Sequence, residues 1–460
     1  MTADDTGLPL PRRYGAILAI ALGITLAVLD GAIANVALPT IARDVHASDA
    51  ASIWVVNAYQ LTITIALLPL AALGDRIGYR RVYLSGLAVF TLASLGCAAS
   101  GTLGSLAALR VIQGFGAAGI MSVNTALVRM TYPSRLLGRG IALNAMVVAL
   151  SSAVGPSVAS AILSFAHWPW LFAINVPIGI AALSIGWRSL PPNVPHPSPY
   201  DYASALMNAC VFGLVILALD GLGHGGNALM CAAALIVAGG VGVVFVRRQL
   251  SQPAPLLPVD LLRIPIFALS IGTSIASFIA QMLAFVALPF WLQHTLGFSQ
   301  VETGLYMTPW PLVIVVVAPL AGILADRYAP GLLGGIGLAL FAIGLLALAL
   351  LGSHPTRLDI VWPMALCGVG FGLFQSPNNR TILACAPRER SGGASGMLGT
   401  ARLTGQTLGA ALVALVFGIT PEHGPTVALY VAAAFAALGA GVSLLRGSAR
   451  PAGGKIRGKT

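Results

Sequence analysis

The chain is poor in charge. Of its 460 residues only 8% are Asp, Glu, Lys or Arg, while 57% are hydrophobic; a soluble domain carries about 25% charged residues. Acids are the scarcer kind, 14 Asp and Glu against 25 Lys and Arg. With a mean hydropathy of +0.88, the net charge of +11 is not a nucleic-acid footprint but the basic bias of membrane-protein loops. Cysteine is also sparse. Cys97, Cys210, Cys231, Cys367 and Cys385 form no C-x-x-C and have no histidine at metal spacing, so they read as small buried hydrophobes. The loop histidines His46, His196, His354 and His423 form no i,i+4 pair, and no metal site is indicated. No nucleophile–base pair and no phosphate-binding Gly-Lys motif occurs, and the acids are scattered, which argues against an enzyme. The longest segments outside apolar runs are about 15–20 residues, too short for the output domain of a sensor.

Long apolar runs fill the rest. Fourteen reach the roughly 20 residues needed to cross a bilayer, near 14–37, 52–73, 82–100, 104–127, 140–163, 170–187, 203–221, 227–246, 266–290, 304–325, 331–351, 360–379, 396–419 and 425–445. Arg12-Arg13 precede the first run without a small-residue cleavage site, so it reads as a retained span. Basic residues follow the even-numbered spans: Arg76, Arg80 and Arg81; Arg135 and Arg139; Arg188; Arg247, Arg248 and Arg263; Arg327; Arg388 and Arg390; and the tail from Arg446. The alternate loops hold Arg43 and Arg357. Both termini are therefore expected in the cytoplasm.

The chain repeats itself. Val36-Ala37-Leu38-Pro39 returns as Val286-Ala287-Leu288-Pro289, and Asp75-Arg76 as Asp326-Arg327. At a second offset Asn124 meets Asn378, Pro133 meets Pro387, Gly138 meets Gly392 and Gly155 meets Gly409. Spans one to six thus pair with nine to fourteen, and spans seven and eight are inserted. The division is residues 1–190 for a first six-helix bundle, 191–262 for the inserted pair and linkers, 263–446 for a second bundle and 447–460 for a basic tail.

Few residues inside the spans carry chemistry. Asp30 lies near the middle of span one, where a carboxylate costs on the order of 2.5–3.5 kcal/mol and faces a cavity or a polar partner. Arg110, Gln113, Gly114, Ala117, Met121 and Asn124 share one face of span four. An intramembrane Arg110 should face the bundle interior and find an acid. Ser151, Gly155, Pro156, Ala159 and Ser160 give span five a small-residue stripe for close packing. Gln375, Asn378 and Asn379 of span twelve, with Gln281 and Phe285 of span nine, Gln113, Met121 and Asn124 of span four and Asn35 of span one, are candidates for a central cavity. Arg402, Gly405, Gln406 and Gly409 share a face of span thirteen; Arg402 reads as a snorkelling side chain. Asp220 reads as a peripheral, solvated acid.

Several of these runs resemble one family. Ala71-Ala72-Leu73-Gly74-Asp75-Arg76-Ile77-Gly78-Tyr79-Arg80-Arg81 resembles the G-x-L-a-D-R-x-G-R-[KR] signature of the major facilitator superfamily, with Ala71 and Tyr79 as departures. Gly322-Ile323-Leu324-Ala325-Asp326-Arg327 keeps its core. The resemblance implies a cytoplasmic gate at Asp75, Arg76, Gly78, Arg80, Asp326 and Arg327. Arg110-Val111-Ile112-Gln113-Gly114-Phe115-Gly116-Ala117-Ala118 resembles R-x-x-Q-G-x-G-A-A, implicated in proton transfer; because the first and fourth helices of a half are neighbours in that fold, the resemblance implies Asp30 as the partner of Arg110, in a pair that is either structural or part of the coupling. The span-five stripe resembles the antiporter signature ending G-P-x-x-G-G. Trp168-Pro169-Trp170-Leu171-Phe172-Ala173-Ile174-Asn175-Val176-Pro177-Ile178-Gly179 and the Leu29–Pro39 run are similar to signatures of the fourteen-span drug:proton antiporter branch.

The expected fold is an all-α polytopic membrane protein of the major facilitator type, two six-helix bundles plus two inserted helices. The resemblance implies a monomer in a bacterial inner membrane that exports amphipathic, often cationic, drugs or antibiotics by alternating access. A proton gradient would supply the energy, with Asp30 and Arg110 in the coupling and no cofactor. The alternative is a dedicated metabolite exporter, a facilitator or a symporter of the same superfamily.

Overall fold

A computed structural model describes residues 7–192, 201–223, 225–252, 255, 257–352, 355–386 and 390–448. His196, His224, Pro253, His354, Pro387, Arg388 and the tail beyond 448 lie outside the described residues, as does most of the proline-rich stretch 191–199.

Fourteen helices are long and apolar enough to span a membrane. They are α1 Leu10–Asp44, α2 Asp49–Ile77, α3 Tyr79–Ala99, α4 Leu103–Thr131, α5 Arg139–Leu163, α6 Trp170–Ser189, α7 Tyr202–Gly223, α8 Ala228–Ser251, α9 Pro265–Thr295, α10 Gln300–Leu324, α11 Pro330–Ala349, α12 Arg357–Cys385, α13 Gly393–Ile419 and α14 Gly424–Arg446. Each of the fourteen apolar runs read from the sequence falls on one of them. The even count puts Leu10 and Arg446 at the same end of the bundle, the terminal face; the opposite end is the distal face.

Local chemistry fixes several helix ends. Thr102 and Ser105 form a reciprocal cap at the start of α4, Ser299 and Glu302 at α10, and Thr356 and Asp359 at α12, each satisfying otherwise orphaned N–H groups. Gly78 separates α2 from α3 with φ +108°, a conformation open to glycine. The α9 helix ends in a π-helical turn, Trp291–Thr295.

The two halves are built alike. In the first, α4 packs on α2 and α3, α1 on α5 and α6, and α3 on α6. In the second, α12 packs on α10 and α11, α9 on α13 and α14, and α11 on α14. The device that draws α3 to α4 recurs between α11 and α12. A Cβ on Gly116 would lie 2.7 Å from the Gly86 carbonyl oxygen, and one on Gly370 would lie 2.5 Å from that of Gly337. Backbones this close exchange dispersion energy that lipid cannot supply between bulky side chains.

The distribution of buried apolar side chains shows where the halves meet. One core runs across the distal end and draws on both, with Leu29, Ile33 and Val36 of α1 beside Phe278, Met282 and Val286 of α9. Toward the terminal face this core divides. The first half keeps its own cluster around Ile20, Tyr83, Ile120 and Leu127, and the second another around Phe267, Ile271, Ile382 and Met397. Leu403 of α13 is the one buried second-half member of the first-half cluster. The halves are thus sealed distally and part toward the terminal face.

Polar contacts agree with this seam. Gln293 Nε2 donates to the Val36 carbonyl (3.3 Å), Ser157 and Thr308 share a hydrogen bond (2.8 Å), and Ser160 Oγ donates to the Val301 carbonyl (3.1 Å). His294 Nδ1 lies 3.0 Å from Asp49 Oδ2. The deepest tie, at mid-height, joins Thr64 of α2 to Thr407 of α13 at 2.7 Å. The inserted helix α7 packs on α8 and touches both halves, through α2 and α13.

Candidate functional site

The sequence offers one acid near the middle of a span, and the fold places it inside the first half. Asp30 on α1 is 2% exposed and Arg110 on α4 is fully buried. They form an ion pair through Asp30 Oδ2 and Arg110 Nη1. Three further helices complete the enclosure. Asn175 Nδ2 of α6 donates to Asp30 Oδ1 (2.8 Å), and Gln113 Nε2 donates to the same oxygen (2.9 Å) and to Ser94 Oγ of α3 (2.9 Å). Gln113 Oε1 accepts from Arg110 Nη1 (2.7 Å), and Arg110 Nε donates to the Val55 carbonyl of α2 (2.9 Å).

Aromatic faces cover the cation. The Arg110 guanidinium lies 4.0 Å from the Tyr59 ring centre and 5.5 Å from that of Phe172, a cation–π arrangement strengthened by exclusion of water. The Tyr59 hydroxyl donates to the Ala27 carbonyl (2.7 Å), which fixes the ring over the guanidinium. Arg110 Nη2 has no hydrogen-bond partner among the described residues, so the stack is its main neighbour. Around Asp30 every neighbour is a donor: one guanidinium and two amides.

The second half lacks this chemistry at the matching place. By the repeat offsets, Asp30 corresponds to Ala280, Arg110 to Met364 and Tyr59 to Trp310. All three second-half residues are buried. Trp310 stacks 4.7 Å from Phe285 and 5.2 Å from Phe341. A charged cluster in one half corresponds to an aromatic cluster in the other.

The other expected site residues are more scattered. Asn35 is buried, its Oδ1 without a partner, and Asn124 is buried with Nδ2 unpartnered. Met121, Gln281, Phe285, Gln375 and Asn379 are half-buried. Asn378 has a buried site of its own. Its Nδ2 donates to Ser274 Oγ (2.8 Å) and to the Ser270 carbonyl (3.3 Å), and its Oδ1 accepts from Arg446. Arg446, read from the sequence as a tail charge, is 4% exposed and ties α14 to α9 and α12.

At the terminal face, Asp75 accepts from the Tyr79 hydroxyl (2.6 Å) and Arg76 is exposed. Arg80 donates to the Trp187 carbonyl, its guanidinium 5.8 Å from the indole centre. Asp326 pairs with Arg380 of α12 rather than with its neighbour Arg327, which is exposed. Arg80 and Asp326 thus hold partners within their own halves. In α5, Ser151 donates to Thr25 Oγ1 (3.1 Å), and a Cβ on Gly155 would meet that of Ala32 at 2.5 Å. The Pro156 carbonyl faces Gly304 of α10 across the distal seam.

Asp220 corrects the sequence reading. It is half-buried and accepts a hydrogen bond from Trp54 Nε1 (2.8 Å), so it fastens α7 to α2. Arg402 is half-buried, with its Nε buried and without a partner. Asn175, Ser94 and Tyr59 were not singled out from sequence. Asn175 alone had a signal, its place in the Trp168–Gly179 run. Among the described residues no three His, Cys, Asp or Glu side chains gather to hold a metal ion.

Fourteen spanning helices in two like halves, with a buried Asp–Arg pair in the first, have close counterparts in sequence. A profile of the Major Facilitator Superfamily matches residues 20–410 and 272–459. The chain belongs to the major facilitator superfamily. It is 61% identical over 442 residues to the uncharacterized transporter YebQ of Escherichia coli (strain K12), covering 96% of this chain and 97% of that one. It is 30% identical to the riboflavin transporter RibZ of Clostridioides difficile (strain 630), with 89% of each chain covered. It is also 30% identical to the multidrug efflux pump LfrA of Mycolicibacterium smegmatis (strain ATCC 700084 / mc(2)155), over 92% of this chain and 86% of that one. This superfamily transporter is a multi-pass membrane protein.

Proposed function

We propose that this transporter exports amphipathic organic compounds in exchange for protons, with its terminal face in the cytoplasm of a bacterial inner membrane. The observation that carries the coupling is the donor-only surrounding of Asp30. A carboxylate satisfies Arg110, Gln113 and Asn175 together; a protonated acid would turn an O–H toward one of these donors. Proton arrival therefore loosens the tie between α1, α4 and α6, and proton loss restores it. Because the pair lies inside the first half, coupling acts on the shape of that half rather than by direct contact with cargo.

Orientation rests on charge. Arg76, Arg80, Arg81, Arg188, Arg248, Arg263 and Arg327 mark the terminal face, and Arg43 and Arg357 the distal one, which favours a cytoplasmic terminal face. The conformation described, sealed distally, is then the one that loads cargo from the cytoplasm. The two six-helix halves, 1–190 and 263–446, rock about the seam, and the partners of Arg80 and Asp326 exchange as the terminal face closes. The relative LfrA is a multidrug efflux pump, which supports drug-like cargo; RibZ is a riboflavin transporter, which supports a dedicated metabolite as the second reading.

The test is proton flux in proteoliposomes with an imposed pH gradient, wild type beside Asp30→Asn, as lipophilic cations, neutral antibiotics, aromatic acids and riboflavin are added in turn. Cargo-dependent proton release in the wild type alone supports antiport through Asp30. Release by riboflavin only would favour the metabolite reading. Equal flux in both proteins would refute a coupling role for Asp30.

A further inference from the structure

The proposed exchange leaves the charge of the cargo open, and one side chain bears on it. At membrane depth the acid is shut away: Asp30 is buried and fully engaged within the first half. The remaining charged side chain in the middle reaches of the seam-forming helices is Arg402 of α13. It lies nine residues beyond Gly393, about 13 Å into the membrane helix from the terminal face at 1.5 Å per residue.

The direction of Arg402 follows from its neighbours on α13. Gly405 and Gly409 lock onto α9, where a Cβ would lie 2.7 Å from the Ile275 carbonyl oxygen and 2.8 Å from that of Ile279. Leu403 and Thr407 face α2, through the first-half core and the Thr64 hydrogen bond. At 100° per residue, Arg402 and Gln406 fall on the flank between these two contacts. The opposite flank carries Gly418, packed on Gly223 of α7, which bridges α2 and α13 from outside the repeat, so the Arg402 flank looks into the cleft between the halves. Both residues are half-buried. One turn toward the terminal face, a Cβ on Gly399 would meet nothing within 4 Å, so space adjoins the guanidinium.

Arg402 is unpaired. Among the described residues it makes no ion pair or hydrogen bond, and its Nε is buried without a partner. The neighbouring Thr400 Oγ1 is likewise buried and unpartnered. A guanidinium with no structural bond, in a half-buried position beside open space, is poised for an external acceptor. Higher in the cleft, the half-buried Phe285 backed by Trp310 offers an aromatic wall.

We propose that the cargo carries an anionic group, a carboxylate or its like, on an aromatic or apolar body, and that Arg402 binds that group from the cytoplasmic side. This rests on the transporter reading above and reverses the cationic cargo that the motifs imply. A lipophilic cation would meet an unneutralised guanidinium with no carboxylate paired to it among the described residues, a repulsive arrangement for that class.

The experiment uses the purified full chain and aromatic acids, each paired with its methyl ester and with a trimethylammonium analogue of the same ring system; 2-naphthoate is the first. Ligand-induced thermal stabilisation reads binding and proteoliposome counterflow reads transport. The expected result is preference for the acid of a pair. Arg402→Gln weakens that acid at least tenfold and leaves its ester unchanged, while Arg402→Lys stays within a few-fold of wild type. The unliganded melting temperature of Arg402→Gln is expected to equal or exceed that of wild type, because no bond is lost. A panel in which no acid outcompetes its ester overturns the proposal, as does an Arg402→Gln protein with a lowered unliganded melting temperature. Proton exchange driven by the trimethylammonium compounds and not by the acids would overturn it while leaving proton antiport standing; absence of proton release with an acid that does bind would instead refute antiport and keep Arg402.

Discussion

Replacing Asp30 by Asn changes few atoms but reverses the logic of its surroundings. The amide NH2 would face Arg110, Gln113 or Asn175, all donors, and a fully buried guanidinium would lose its counter-ion. Breaking a buried pair from one side costs about 3–5 kcal/mol, a factor of about 10² to 4 × 10³ in the folding equilibrium at 1.4 kcal/mol per decade. Arg110→Gln should cost less, since Asp30 keeps the two amide donors. The double variant Asp30→Asn/Arg110→Gln removes both charges and leaves amides that can bond to each other, so it should recover about 2 kcal/mol of the summed losses, within the range seen for contacting residues. SDS-titrated unfolding of the four proteins in mixed micelles measures this. Proton exchange is assayed in parallel, because the double variant should regain stability without regaining proton coupling. Strictly additive losses, or an Asp30→Asn protein as stable as wild type, would refute the reasoning.

Other perturbations test the rest of the structure. Gly116→Val drives a side chain into the Gly86 and Phe90 backbones and should lower stability by about 1–3 kcal/mol, read as a drop in melting temperature; an unchanged value contradicts the α3–α4 contact. Gly304→Ala places a methyl group 2.6 Å from the Pro156 carbonyl oxygen and should pry open the distal seam. A cysteine at Ser157 should then react faster with a membrane-impermeant maleimide added from the distal side. At the terminal face, partial burial works to raise the Asp201 carboxyl, but hydrogen bonds from Arg248, Ser204 and Gln252 outweigh it and hold the group well below the usual carboxylate range. A carboxyl lowered in the folded state stabilises fully above its unfolded value of about 3.9 and loses that contribution as pH falls through the folded value. The melting-temperature gap between wild type and Asp201→Asn should therefore be constant above about pH 5 and shrink below about pH 4; a gap that widens on acidification would contradict the assignment.

The spans were legible because the bilayer demands length and apolarity, two properties visible in one dimension. The repeat was legible for a related reason: glycines, prolines and the Asp-Arg pair recur where backbone approach or a turn requires them. Asp30 and Arg110 could be matched because the fold that the motifs resemble sets the first and fourth helices of a half side by side. Their neutral partners could not. Asn175, Ser94 and Tyr59 arrive from three other helices, and a polar or aromatic residue in an apolar run does not announce which neighbour it will meet. Helical spacing locates a residue on a face but not its bond: Asn378 was grouped with cavity amides, yet Arg446 from α14 holds it. Asp326 met Arg380, brought from α12 by tertiary packing, and not the adjacent Arg327. Asp220 looked solvated because its acceptor role depends on Trp54, more than 160 positions earlier.

The helix α7 has a consequence for how far the molecule can move. It is fastened to α2 by the Trp54–Asp220 bond and by Asn208 Nδ2, which donates to the Ile65 carbonyl at 3.2 Å. It is pressed on α13 where a Cβ on Gly418 would lie 2.6 Å from the Gly223 Cα. The two bodies proposed to turn against each other are therefore bridged by a single stiff rod with an anchorage on each. Such a rod acts as a rein: it leaves small rotations free and resists wide ones, so one anchorage must slip before the distal mouth opens fully. The backbone-to-backbone contact at Gly223 and Gly418, with no side chain interlocked, is the smoother of the two and is where sliding meets the least resistance.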